Sequence, residues 1–197
     1  MARLFSYVVA RDYGFAPNPF YGFCTLATCK PKIRETASKG DWIVGTGSKR
    51  NGRDGFLVYA MRVTETMSFH EYWSDPRFAS KKPELHASRR KAFGDNIYYR
   101  DDSSDEWRQL DSHHSYEDGT TNFRNVENDT RVNRVLVSGD FIYCGGSGPA
   151  IPDFRGRNIC HTTQGHRCRF PNETVEAFVE WIRGLGDEGY CGAPLNW

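Results

Sequence analysis

The stretch Lys39-Gly-Asp-Trp-Ile-Val-Gly-Thr-Gly-Ser48, with Gly55-Phe-Leu-Val-Tyr-Ala-Met-Arg-Val63 behind it, decides the fold class. Gly40-Asp41 marks a turn and Trp42-Ile43-Val44 is a short β-rich run. Gly45, Gly47 and Asn51-Gly52 then punctuate the chain before an apolar run resumes. Strand, glycine-rich polar turn and returning strand read as a hairpin at the centre of a sheet. Glycines at its lip let backbone approach another strand or a ligand. Gly45, Gly47 and Ser48 are therefore expected to form a backbone wall of a pocket.

Leu4 to Ala10 barely alternates between apolar and polar residues, which predicts a buried strand. Arg134 to Ser138 and Phe141 to Cys144 predict two more short strands, or one bent strand, around Gly139-Asp140. Pro31 suits the first position of a short helix running to Ser38. Ser68-Phe-His-Glu71 is a capping box for a helix that Asp75-Pro76 ends. Behind Asn172, read as a cap, Val175, Phe178, Val179, Ile182 and Leu185 follow helical spacing, and Gly184 and Gly186 stop the run. The expected architecture is α+β. One domain over residues 1–197 surrounds a twisted, barrel-like mixed β-sheet, with short peripheral helices and one C-terminal amphipathic helix.

A chain of 197 residues can build one sizeable core, and its five Trp, ten Tyr and thirteen Phe argue against disorder. A formal net charge of +1 gives no global attraction to polyanions, so any nucleic-acid contact must be local. No run approaches the roughly 20 apolar residues of a spanning helix. The N-terminal segment from Met1 lacks the apolar core and cleavage site of a signal peptide. A cytoplasmic protein with no membrane partner is expected. Without a signal, the six cysteines are expected to be free thiols.

The segment Arg11 to Gly22 has the composition of a ligand-binding loop, with Arg11, Asp12 and Asn18 among four aromatics and two prolines. Thr25 lies just behind it. Arg77 to Lys91 is strongly basic. Lys81, Lys82, Arg89 and Arg90 are candidate phosphate contacts, a solvated face being the alternative. The cationic turn Ser48 to Asp54 carries the same two readings. The acidic stretch from Asp95 to Asp118 holds Trp107, suited to stacking on a planar ligand, and Gln109, suited to a base edge.

Candidate catalytic groups are Asp12 as acid or base, and Cys24 or Cys144 paired with His113 as nucleophile and base. No nucleophile motif surrounds them, and the deaminase signature is absent. Gly145 to Pro149 is glycine-rich but lacks the Lys-Ser/Thr pair of a phosphate-binding P-loop. Cys160-His161-x4-His166-x-Cys168 offers zinc-ligand types, but adjacent residues point apart in an extended chain and the spacing matches no finger. Neither a metal nor a cofactor is expected.

Three stretches carry a family resemblance: Leu4-Phe-Ser-Tyr-Val-Val-Ala-Arg-Asp-Tyr-Gly-Phe-Ala-Pro-Asn-Pro-Phe20, Cys24-Thr-Leu-Ala-Thr-Cys-Lys-Pro-Lys-Ile-Arg34 and Lys39 to Ser48. Asp95-Asn-Ile-Tyr98, Val135-Leu-Val-Ser138 and Phe141-Ile-Tyr-Cys-Gly-Gly146 continue it over nearly the whole chain. The sequence resembles the second type of nucleotide modification associated domain. More distantly it is similar to PUA-like folds such as EVE, YTH and ASCH domains. The resemblance implies a prokaryotic or viral setting of base modification or defence, with a nucleotide or nucleic acid as partner. The leading expectation is that an aromatic-lined pocket binds a nucleobase or nucleotide, modified, free or polymeric. The alternative is an enzyme of nucleotide or DNA-base modification using Asp12, Cys24 or His113.

Overall fold

The computed structural model describes residues 2–101 and 104–197. Met1 lies outside the described residues, as do Asp102 and Ser103 of the acidic stretch. Elements follow in the order β1 (Leu4–Val8), β2 (Cys24–Leu26), α1 (Pro31–Thr36), β3 (Trp42–Thr46), β4 (Leu57–Arg62), β5 (Glu65–Met67), α2 (Phe69–Ser74), α3 (Arg89–Ala92), β6 (Tyr98–Tyr99), β7 (Arg108–Gln109), α4 (Phe123–Thr130), β8 (Val135–Ser138), β9 (Asp140–Tyr143), α5 (Asn172–Gly184) and β10 (Gly189–Tyr190). This is an α+β chain with mixed sheet pairing and few helices. It gathers into two compact units, one of Met1–Asp12, Ala37–Thr64 and Ser138–Trp197, the other of Tyr13–Thr36 and Glu65–Val137.

The first unit is built on a five-stranded sheet in the order β1-β3-β4-β9-β10. β1 runs parallel to β3, and β10 parallel to β9. β4 pairs antiparallel with both β3 and β9. The hairpin expected from Lys39 to Val63 is the β3–β4 pair, with a register shift between Gly45 and Thr46. That irregularity needs a glycine, because a Cβ on Gly45 would lie 2.4 Å from Tyr59 Cε1 and 2.7 Å from Val9 Cγ2.

One side of the sheet receives α5, which buries Val175, Phe178 and Ile182 against Leu4, Trp42, Val44, Ala60 and Ile142. Fully burying a ring such as Phe178 contributes about 1.5–3 kcal/mol. The helix starts one residue earlier than expected. Pro171, extended at φ −58° and ψ 149°, is the cap, and its carbonyl accepts Thr174 N–H at 3.0 Å and, as the first i→i−4 bond, Val175 N–H at 3.2 Å. Asn172 is the first helical residue.

The second unit holds a three-stranded sheet, β2-β8-β5, and the antiparallel β6–β7 pair. Its core gathers Phe15, Phe69, Tyr72, Phe78, Ile97, Tyr98, Val135 and Val137. The capping box at α2 forms as expected. Ser68 N–H donates to Glu71 Oε2 at 2.7 Å, and Glu71 N–H donates to Ser68 Oγ at 3.2 Å. The sequence reading assigned no element at α4. Within that helix only Val126, Asp129 and Thr130 are buried, while Phe123 is 75% exposed. Among the described residues, no helix is long and apolar enough to cross a membrane.

Candidate functional site

A chain of hydrogen bonds in the second unit links Cys29, His114 and Asp129. β2 delivers Cys29 to the start of α1. There Cys29 and Lys30 adopt φ values of 58° and 39°, in the left-handed region that non-glycine residues rarely occupy. Such strain persists only where the surroundings enforce it, and here they do. Cys29 N–H donates to Asp129 Oδ1 at 2.8 Å, and Cys29 O accepts from Arg34 Nε at 2.9 Å.

Cys29 Sγ lies 3.6 Å from His114 Nε2, and His114 Nδ1 lies 2.8 Å from Asp129 Oδ2. Thiol, imidazole and carboxylate therefore stand in series. The thiol is half-buried, and the His114 side chain keeps 16% of its surface exposed while Asp129 is fully buried. Asp129 Oδ2 also accepts the Tyr98 hydroxyl at 2.9 Å, and Oδ1 accepts Asn128 Nδ2 at 3.2 Å. Burial and the neighbouring Asp129 push the Tyr98 phenol up, so it remains a donor.

Burial by itself disfavours a charged His114. The hydrogen bonds to Asp129 and Cys29 outweigh it and push the imidazole up to about 10. At neutral pH the ring is thus an imidazolium, donating through Nδ1 to the carboxylate and presenting Nε2–H to the sulfur.

Arg34 braces this arrangement from beneath. It is fully buried on α1. Its Nη2 donates to Asp129 O at 2.5 Å, and Nη1 donates to Val132 O at 2.8 Å and Arg134 O at 2.7 Å. One planar guanidinium therefore holds the backbone of Cys29 and that of Asp129. Gln109 braces His114 in turn, donating to its carbonyl at 3.2 Å and to Tyr98 Oη at 3.4 Å, while Gln109 Oε1 accepts Asn122 N–H at 2.9 Å.

The remaining expected site residues are placed as follows. Asp12 and Arg11 belong to the first unit, where Arg11 is exposed. The buried Asp12 carboxylate accepts the Tyr143 hydroxyl and, at 3.0 Å, Leu195 N–H, so it anchors the C-terminal tail. Gly45, Gly47 and Ser48 are buried in the same unit.

Asn18 and Thr25 are fully buried in the second unit. Asn18 Nδ2 donates to Gly14 O and Phe93 O, and Asn18 Oδ1 accepts Lys81 Nζ at 2.5 Å. Thr25 Oγ1 donates to Asp95 at 2.7 Å, as does the Tyr72 hydroxyl. The Trp107 ring meets Phe69 edge-on at 5.4 Å, and Arg100 covers it at 4.2 Å.

Among the expected phosphate contacts, Arg89 and Arg90 are exposed, Lys82 lies over the Trp73 ring at 3.6 Å and Lys81 is fully buried. Cys24 is fully buried, which pushes its thiol well up. His113 packs its ring against Tyr13, Phe15 and Phe93. Sequence reasoning thus chose the neighbouring histidine and the neighbouring cysteine, and assigned no role to Asp129. The one sequence signal for Cys29 is its place immediately before a turn into a Pro-initiated helix.

All six cysteines are free thiols. Among the described residues, the Cys, His and carboxylate group whose donor atoms converge is this same trio, within 4.8 Å of one another. Cys160, His161, His166 and Cys168 form no such group there. His161 Nε2 faces Gln164 O at 3.3 Å, and His166 packs on the Phe5 ring. Because both ring nitrogens of His114 are engaged along the series, the three groups form a relay. Zinc would need Asp129 turned away from Nδ1 and a further ligand.

Fold and site together define an α+β protein with a Cys–His–Asp relay. The chain belongs to the nucleotide modification associated domain 2 family, whose model matches residues 1–197. No curated protein and no solved structure matches it. The family ties the chain to nucleotide modification.

Proposed function

We propose that the protein is a thiol-dependent enzyme of nucleotide or nucleobase modification, with residues 1–197 acting as one family domain. The observation that carries the reading is the series from Cys29 Sγ through His114 to Asp129, at 3.6 and 2.8 Å. Nucleophile, proton carrier and orienting carboxylate in hydrogen-bond reach are the arrangement covalent catalysis requires. In this reading Cys29 Sγ bonds to an electrophilic carbon of the base. The displaced π pair takes the Nε2 proton of His114, and its return to Nε2 as the C–S bond breaks restores the ring; an electrophilic co-substrate that replaces a ring proton between the two steps, that proton passing to solvent, leaves the base modified. Asp129 holds the imidazole in orientation and stabilises its charge.

The PUA-like affinity of the fold belongs to the same proposal. The mixed sheet and the glycine-rich turn of the β3–β4 hairpin support it. So does a prokaryotic or viral base-modification setting, which rests on the family.

A second reading is base binding without turnover. The aromatic cluster of Tyr13, Phe15 and Phe93 around His113 favours it, being the kind of surface on which bases stack. Incubating the protein with nucleotides and oligonucleotides, then resolving products by mass spectrometry, separates the two. The enzyme reading requires a product with wild type and none with Cys29→Ser. Binding with no product from either protein supports the second reading.

A further inference from the structure

We propose that Cys144 and Cys191 are a redox pair whose disulfide latches the C-terminal tail onto the sheet of the first unit. β10 runs parallel to β9 with Tyr190 opposite Tyr143. Their rings stack at 5.7 Å and 13°, on one face of the sheet. Side chains alternate along a strand, so the next residue on each chain, Cys191 and Cys144, turns to the other face. Cys144 accordingly joins Ile142 in the core beneath α5. The two chains stay together past the stacked tyrosines. Cys191 N–H donates to Tyr143 O at 2.9 Å, and a Cβ on Gly192 would lie 2.1 Å from Cys144 O. Neighbouring strands lie about 4.7–4.9 Å apart, inside the roughly 4.4–6.8 Å that separates the Cα atoms of a disulfide.

The electrostatics of the two thiols agree with this placement. Burial first, then Cys191 and Asp187, push the Cys144 thiol up to about 12. Burial, then the same Asp187, raise that of Cys191. Cys191 is exposed and Cys144 buried. Cys191 Sγ lies 3.4 Å from Glu188 O and 3.6 Å from Gly189 O, weak contacts that rotation about χ1 of an exposed side chain gives up.

The oxidant is a small-molecule disulfide. The Cys191 thiolate attacks one of its sulfurs and expels a small thiolate, leaving a mixed disulfide. The Cys144 thiolate then attacks the Cys191 sulfur and expels the second. Two protein thiols are oxidised, one disulfide is reduced to two small thiols, and the cysteine protons end on those thiols.

The glycine-rich loop after Cys144 is the seat of the tail. A Cβ on Gly145 would lie 2.0 Å from Ala193 O, and Gly146 N–H donates to that carbonyl at 3.0 Å. Beyond it, Leu195 N–H donates to Asp12 Oδ2 at 3.0 Å and Asn196 N–H to Asp12 O at 2.9 Å. A terminal segment held by such contacts opens locally, and a link at Cys191 restrains that opening.

Incubating the full chain with oxidised glutathione at mildly alkaline pH, then mapping peptides without reduction, tests the pair. The expected result is a linked Cys144–Cys191 peptide. Cys191→Ser, an exposed substitution, should abolish it, and Cys144→Ala should leave Cys191 as the mixed disulfide. In the linked protein, hydrogen exchange at the amides of Leu195 and Asn196 should slow about tenfold or more, and dithiothreitol should restore it. A wild-type Cys191 that stops at the mixed disulfide, a link to any other cysteine, or unchanged exchange in the linked form overturns the proposal.

Discussion

Asp129 accepts the amide N–H of Cys29 at 2.8 Å with the same carboxylate that accepts Nδ1 of His114. One side chain therefore fixes both the backbone that carries the thiol and the ring that faces it. Displacing it moves the Cys29 thiol and the His114 ring together, so substitutions at the two should have strongly non-additive effects on thiol reactivity.

The raised pKa of His114 has a consequence for stability. The folded protein holds this proton up to about 10, whereas the unfolded chain releases it near 6.5. Between those values the folded state binds more protons, so the contribution is complete below pH 6.5 and declines as pH rises toward 10. The decline is at most about 1.4 kcal/mol per pH unit. Denaturant melts from pH 6 to 10 should show this loss in wild type and a flatter profile in Asp129→Asn. Imidazole NMR should place the His114 midpoint lower in that variant.

Arg34 joins four backbone carbonyls through a planar fork that lysine cannot reproduce. Arg34→Lys should destabilise the protein by about 3 kcal/mol or more, since a buried acceptor left unmet costs about 1–3 kcal/mol. Urea unfolding measures the change. A loss below about 1 kcal/mol would show that water replaces the guanidinium without penalty.

Lys81 sits in the interior of the second unit, bonded to Asn18 O, Asn18 Oδ1 and Phe23 O. Burial pulls its pKa down to about 8, against the opposing charge of Asp95. Lys81→Met should cost about 3–5 kcal/mol by stranding buried acceptors and the Asp95 charge. A phosphate-contacting lysine would instead tolerate the change and lose affinity in a salt-dependent way.

Gly45→Ala places a methyl group into Tyr59 and Val9, and should cost about 1–3 kcal/mol by overpacking. Thermal melts check it. An unchanged melting temperature would mean that the β3–β4 irregularity relaxes freely.

Much of the fold could be read from local patterns. Trp42 to Thr46, Leu57 to Met61 and Val135 to Ser138 are dominated by apolar residues because strands buried on both faces have no solvent side to show. Ser68 and Glu71 announce α2 because a capping box is a contact within four residues. α4 gave no such signal: its one buried apolar residue is Val126, and Phe123 points to solvent. The relay was hidden for a different reason. Cys29, His114 and Asp129 are separated by 85 and 15 residues, and no periodicity links them. Only tertiary structure distinguishes His114, which meets a carboxylate, from His113, which meets three aromatic rings.

The most direct test of the central claim is the rate of alkylation of each cysteine by iodoacetamide at pH 7, resolved by peptide mass spectrometry. The other five thiols serve as internal references, exposed Cys191 above all. The relay predicts that Cys29 reacts faster than Cys191 although it is less exposed, and that His114→Ala lowers the Cys29 rate at least tenfold while leaving Cys191 unchanged. Equal rates at Cys29 and Cys191, or a Cys29 rate indifferent to His114→Ala, would contradict it.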